Sequence, residues 1–229
     1  MMLRSFQILV FMLVLPSSLI AQDWANLEHF KSANDALVSL GEDQDRVVFM
    51  GNSITIGWQQ IDPEYFQANP YVNRGISGQT TPQMVLRFRQ DVIDIKATVV
   101  AILAGTNDIA ENTGPITQQQ IMGNIKSMAQ LAEAHDIKVV LCSVLPAYDY
   151  PWKPGMQPNI KIPKLNSEIK AFAEHSGHRF VDYFSAMANE KNGLKHHLGD
   201  DGVHPNREGY DIMKPIIENA LVEILSATD

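Results

Sequence analysis

Residues 46–57 read RVVFMGNSITIG. Residues 47–50 form an unbroken apolar run, the pattern of a strand buried on both faces of a parallel sheet. Gly51-Asn52-Ser53 ends the run abruptly and sets Ser53 just past the strand's C-terminal end. In an open α/β sheet, ligands bind and catalytic side chains collect along that edge. A serine there is either a nucleophile or simply the cap of the next helix. The stretch alone leaves both open.

Upstream of this strand, Leu27, Phe30, Ala33, Leu37 and Leu40 recur at helical spacing over residues 24–40, and Gly41 with the acidic turn 42–45 closes the helix. Downstream, Tyr71-Val72-Asn73 is a short strand. Pro82 opens a helix carrying Met84, Val85, Phe88, Val92 and Ile93 on one side. Residues 98–103 form a buried strand, and Thr117 with Gln120 makes a capping box ahead of Ile121, Ile125, Met128 and Leu131. A strand over 138–144 leads into a long Pro- and aromatic-rich loop, 146–158. Ile162, Leu165, Ile169 and Phe172 then mark a helix closed by Gly177, and Phe180-Val181 a last strand. Asn206 caps a final helix, which Pro215 is expected to kink. Strands alternating with helices at this spacing predict an α/β doubly wound parallel sheet with helices on both faces. No repeat, low-complexity tract or linker divides it.

With 229 residues, 45% of them hydrophobic, the chain can bury a large core. Its formal charge is −8 and its Lys and Arg form no stripe, which argues against a nucleic-acid partner. Arg4, the apolar run 6–15 and Pro16-Ser17-Ser18 followed by Ala21 read as a signal peptide over residues 1–21. The run is too short for a stable membrane anchor, so residues 22–229 are expected to be a single periplasmic or secreted domain. The single cysteine, Cys142, sits in an apolar run and is read as core.

The polar punctuation carries the chemistry. Ser53 follows the first strand, Gly78 the second, Asn107 the third, and Asp201 with His204 the fifth. Right-handed crossovers place all these loops on one rim. Each has a plain explanation singly: Gly78 as a positive-φ turn, Asn107 as an Asx turn, Asp201-Gly202 as a turn before a helix. Their convergence is what acyl transfer needs. A serine hydroxyl requires an imidazole to take its proton, and the imidazole a carboxylate to hold its tautomer. Ser53, His204 and Asp201 supply these catalytic roles. The N–H groups of Ser53 and Gly78 and the Asn107 amide supply an oxyanion hole.

Gly51-Asn52-Ser53-Ile54-Thr55, Gly75-Ile76-Ser77-Gly78-Gln79-Thr80, Gly105-Thr106-Asn107-Asp108 and Asp201-Gly202-Val203-His204-Pro205 resemble, in order, the four blocks of the SGNH (GDSL-type) hydrolase superfamily. That resemblance implies the same catalytic and oxyanion residues, a flavodoxin-like sheet of order 2-1-3-4-5, and no metal or organic cofactor. Asn52 departs from the Asp of the name-giving motif.

Other readings fit less of the chain. An α/β-hydrolase would carry G-x-S-x-G, but Thr55 fills the last glycine's place. His196, His197, Asp200, Asp201 and His204 are metal-ligand types, yet a metal site leaves Ser53 and Asn107 without a role. Ser77-Gly78-Gln79-Thr80 lacks the lysine of a P-loop. The remaining histidines, His29, His135, His175 and His178, are taken as surface residues. For substrate contacts the sequence offers Trp58, Tyr148, Tyr150 and Trp152, which suit sugar rings or apolar chains. The expectation is an esterase removing short acyl groups, acetyl above all, from carbohydrate. The alternatives are a lipase, lysophospholipase or platelet-activating-factor acetylhydrolase-like enzyme, and, in another class, a non-catalytic glycan-binding protein.

Overall fold

The computed structural model describes residues 23–39 and 45–226. The expected signal peptide, Gly41 and most of the acidic turn lie outside the described residues. In chain order the elements are α1 (Lys31–Ser39), β1 (Val47–Gly51), α2 (Ser53–Ile61), α3 (Pro63–Gln67), β2 (Tyr71–Gly75) and α4 (Thr81–Phe88), which runs into a π-helical turn, Arg89–Ile93. Then come β3 (Val99–Ile102), α5 (Thr106–Ile109), α6 (Gln118–Glu133), β4 (Lys138–Cys142), α7 (Pro158–Ser176), β5 (Arg179–Val181), α8 (Tyr183–Met187), a 3-10 turn (His196–Leu198) and α9 (Arg207–Ser226).

The strands form one parallel sheet in the order β2-β1-β3-β4-β5. The unbroken apolar run of β1 has a simple cause: its side chains alternate between two cores. Val48 and Met50 face a cluster built with α4, α6 and α7, while Val47 and Phe49 face another built with α2, α3, α8 and α9. After β1 the chain crosses one face, and after β2 it crosses the other. β1 and β3 are therefore adjacent strands whose connections leave to opposite sides, which opens a crevice above their C-terminal ends.

The expected capping box is present: Gln120 N–H donates to Thr117 Oγ1 at 3.2 Å and the Gln120 side chain accepts from Thr117 N–H at 2.8 Å. Asn206 caps α9 by accepting from Gly209 N–H at 3.1 Å, and Pro215 lies inside that helix without ending it. Gly177 closes α7 in the left-handed conformation.

Two expectations need correction. The first helix begins at Lys31 instead of residue 24, because Asn26 adopts a left-handed φ of 55° and Asp23 Oδ1 and Oδ2 accept from Leu27 and Glu28 N–H. His178 is not a surface residue: its side chain is 7% exposed and stands edge-on to Phe172 at 5.6 Å. Burial lowers its pKa and Glu133 opposes that.

The loops after β2 and β3 are pinned together by Asp108. Its carboxylate oxygens accept from Thr81 N–H at 3.0 Å, and Oδ1 accepts from the Thr81 hydroxyl at 2.5 Å. Burial pushes this carboxyl up to about 6 from the ordinary 3.8, with the Thr81 bonds opposing. Between those values the folded chain keeps a proton that the unfolded chain has lost, so stability falls as pH rises through the window. The window is worth about 3 kcal/mol at most. Asp108→Asn, which cannot ionise, should therefore gain on the parent by up to that amount between pH 4 and 7 in urea unfolding. A difference that stays constant with pH would show that Asp108 does not carry the effect.

Candidate active site

Ser53 is the first residue of α2, and the capping position is taken by its neighbour: Asn52 Oδ1 accepts from Ile54 N–H at 3.1 Å. The Ser53 hydroxyl is thus released from local duty and lies 2.9 Å from His204 Nε2. The close approach of α2 to β1 depends on Gly51, where a Cβ would fall 2.0 Å from Thr55 Oγ1 and 3.0 Å from the Leu103 carbonyl.

His204 and Asp201 share the turn between the 3-10 turn and α9. Asp201 Oδ1 accepts from Val203 N–H at 2.9 Å and His204 N–H at 2.8 Å, which winds the turn so that Oδ2 meets His204 Nδ1 at 2.7 Å. Burial alone would raise the Asp201 carboxyl. The bonds from the His204 N–H and ring and from Val203 N–H outweigh it and hold the group below the ordinary carboxylate range. An ionised carboxylate only accepts, so Nδ1 carries the ring proton and Nε2 is left to accept from Ser53. The arrangement can pass a proton from serine to imidazole.

Gly78 sits in the exposed loop between β2 and α4 with φ 77°, as its expected turn requires. Asn107, almost fully buried in α5, donates through Nδ2 to the Gln79 carbonyl at 3.0 Å. A carbonyl cannot donate, so this bond fixes which end of the amide is nitrogen.

The four aromatics named from sequence separate. Trp58 is 2% exposed, stacked between Tyr65 and Tyr210 and edge-on to Phe49 and Phe66. Tyr150 is fully buried, its hydroxyl 2.8 Å from Thr106 Oγ1. Both belong to the packing beneath the rim. Tyr148 and Trp152 are exposed. Trp152 stacks on Tyr150 at 5.0 Å, lies 6.0 Å from the His204 ring, and donates from Nε1 to Asn112 Oδ1 at 3.2 Å. Asn112 in turn reaches the Gly78 carbonyl at 3.4 Å. Sequence reasoning passed over Asn112, which lies in a turn beyond the Gly-Thr-Asn-Asp block with no pattern of its own. Among the described residues, no three His, Cys, Asp or Glu side chains converge as a metal-binding group.

Residues 49–212 match the GDSL-like Lipase/Acylhydrolase family. A GDSL-like lipase structure from Bacteroides thetaiotaomicron superposes with a TM-score of 0.85 at 46% identity, covering 87% of this chain and 98% of that one. A proposed acylhydrolase from Bacteroides fragilis gives 0.87 at 45% identity, over 89% and 99% of the two chains. The acetylxylan esterase of Xylanibacter ruminicola is 28% identical over 220 residues, 79% of this chain and 44% of that enzyme. The chain spans about half the length of the curated relatives it matches. With the family match covering all four loops of the rim, the chain belongs to the GDSL-like lipase/acylhydrolase family of ester hydrolases.

Proposed function

We propose that this protein is an exported serine esterase that removes acetyl or other short acyl groups from carbohydrate, working as a single domain over residues 22–229. The observation that carries the reading is the unbroken relay from Asp201 Oδ2 through His204 to Ser53 Oγ, with links of 2.7 and 2.9 Å. Ser53 Oγ attacks the ester carbonyl as its proton passes to His204 Nε2. The oxyanion of the tetrahedral intermediate is met by the N–H groups of Ser53 and Gly78 and by the Asn107 amide. His204 then gives its proton to the departing alcohol. In the second half it takes one from water, whose hydroxide displaces the acyl group from Ser53 and restores the hydroxyl. Asp201 stays ionised throughout and holds the imidazolium.

The substrate class rests on Trp152. Its indole is held flat by Tyr150 and Asn112 beside His204, a platform suited to a sugar ring in the alcohol half of the ester. The 28%-identical relative is an acetylxylan esterase, which points the same way. Export rests on the N-terminal sequence, Arg4 followed by the apolar run 6–15. No helix among the described residues is long and apolar enough to cross a membrane.

Ser53→Ala and His204→Ala should each remove nearly all hydrolysis of nitrophenyl acetate while the melting temperature holds, and the double variant should lose little more. Appreciable turnover in Ser53→Ala would end the serine mechanism and return the glycan-binding or metal readings. Asn107→Ala should lower kcat by about 10²–10³ with KM little changed, the loss typical of one oxyanion donor. An effect confined to KM would make Asn107 a binding residue instead.

Acetyl esters should be hydrolysed faster than octanoyl esters. Trp152→Ala should reduce kcat/KM on an acetylated oligosaccharide by about tenfold, the weight of one stacked ring, and leave nitrophenyl acetate nearly unaffected. Equal losses on the two substrates, or a preference for octanoyl, would favour the lysophospholipase reading.

A further inference from the structure

The most heavily bonded side chain behind the rim has no part in the relay. Arg87 in α4 is fully buried, and its guanidinium is used on every side. Nε donates to Gln79 Oε1 at 2.6 Å and Nη1 to Asp91 Oδ2 at 2.8 Å. Nη2 donates to the carbonyls of Gly51 at 3.0 Å and Arg74 at 2.9 Å. Gly51 leads to Ser53, Arg74 leads to Gly78, and Gln79 carries the carbonyl that Asn107 Nδ2 grips. One planar cation therefore touches the two loops that hold the Ser53 and Gly78 donors, and reaches the third, Asn107, through Gln79.

The segment 23–39 completes this arrangement, although it lies outside the family match at 49–212. The Ala25 carbonyl accepts from Gln79 Nε2 at 2.8 Å. Asn34, itself buried, donates to Asp91 Oδ1 at 2.8 Å and accepts from Arg74 Nε and Nη2 at 3.0 and 2.7 Å. Gln79 is thus held through both polar atoms of its side-chain amide, by Arg87 and by Ala25. Its backbone carbonyl has little freedom to move, and neither has the Asn107 amide bound to it.

We propose that Gln79 and Arg87 are positioning residues of the oxyanion hole, aiming the Asn107 amide through the Gln79 carbonyl, and that the N-terminal segment 23–39 belongs to this device. The proposal rests on the oxyanion role given to Asn107 above. Neither residue touches the substrate. Their effect is to fix the donor before the charge develops, which is where such donors gain their worth over water.

The test is a double-mutant cycle in the full chain with nitrophenyl acetate as substrate. Gln79→Met keeps the bulk and the backbone carbonyl but frees the side chain from Arg87 and Ala25. It should lower kcat about tenfold with KM unchanged, part of the 10²–10³ expected when the donor is removed outright. In an Asn107→Ala background the same substitution should cost less than twofold, because the group it aims is gone. Asn34→Ala, remote from the substrate, should lower kcat in the same direction and by less. Arg87→Lys keeps the charge but not the fork, and should lose more kcat than Gln79→Met because the Ser53 and Gly78 loops are released too. If Arg87→Lys fails to fold, the Gln79→Met cycle decides alone. Losses that add fully across the cycle, or that fall on KM, would overturn the proposal and leave a purely structural network. Unchanged kcat in Asn107→Ala by itself would instead defeat the oxyanion assignment on which the proposal stands.

Discussion

β1 is hydrogen-bonded on both sides, to β2 and to β3, and the chain leaves β1 and β3 toward opposite faces of the sheet. That divergence governs the site. It prevents α2 and α5 from packing together over the strand ends and leaves a gap between them. Ser53 opens α2 and Asn107 lies in α5, so the two walls of the gap each present one polar group. The rest of the rim is brought to this gap from farther along the chain. α9 covers the same face as α2, its Tyr210 hydroxyl donating to the Ile54 carbonyl at 2.7 Å, and the turn before α9 delivers His204. A hydroxyl and an imidazole 151 residues apart thus meet through backbone placement, with no flexible reach required.

The backbone polar groups beneath this gap are held by side chains in addition to bonds that continue the sheet, such as Ile76 N–H to the Gly51 carbonyl at 3.2 Å. Asn73 caps the end of β2 by donating to the Thr55 carbonyl at 2.7 Å and accepting from Gly75 N–H at 2.9 Å, and Arg87 serves the Gly51 and Arg74 carbonyls. The Arg87–Asp91 ion pair is almost wholly removed from solvent. Such a pair returns little net stability, since desolvation consumes most of the Coulombic gain, whereas losing one partner is severe. Its worth lies in geometry. A fork with a fixed plane can serve an amide, a carboxylate and two carbonyls at once, as no apolar replacement could.

Much of this was legible in the sequence, and the boundary has physical reasons. Strand runs such as 47–50 and 98–103 are legible because burial on both faces leaves no choice of residue type. The four polar blocks are legible because four separate stretches match one family's pattern in its order. The burial of Trp58 and Tyr150 is not legible, because an aromatic beside a motif reads alike whether it faces solvent or core. Only tertiary packing put Tyr65 and Tyr210 against the one and Thr106 beneath the other. The π turn at Arg89–Ile93 carries no signal either: its Val92 and Ile93 fit the helical pattern, while Asp91 is turned inward to meet Arg87 and Asn34. Side-chain networks of this sort depend on partners up to 57 residues away, and no local pattern announces them.

The electrostatics of the rim follow from how two carboxylates are solvated. Asp201 is partly exposed and receives two backbone N–H bonds besides the imidazole, which keeps it charged beside the His204 ring. Asp108 is buried with Thr81 as its donor and is pushed up to about 6. Near neutral pH it too is ionised, one residue from Asn107. The buried network that reaches Asn107 through Gln79 holds two cations, Arg87 paired with Asp91 at 2.8 Å and Arg74 bonded to Asn34 at 3.0 and 2.7 Å. The Arg87 guanidinium thus both ties the Ser53 and Gly78 loops and brings a buried positive charge up to them. Geometry and charge enter this site through one side chain, which is why a lysine in its place would preserve the second and forfeit the first.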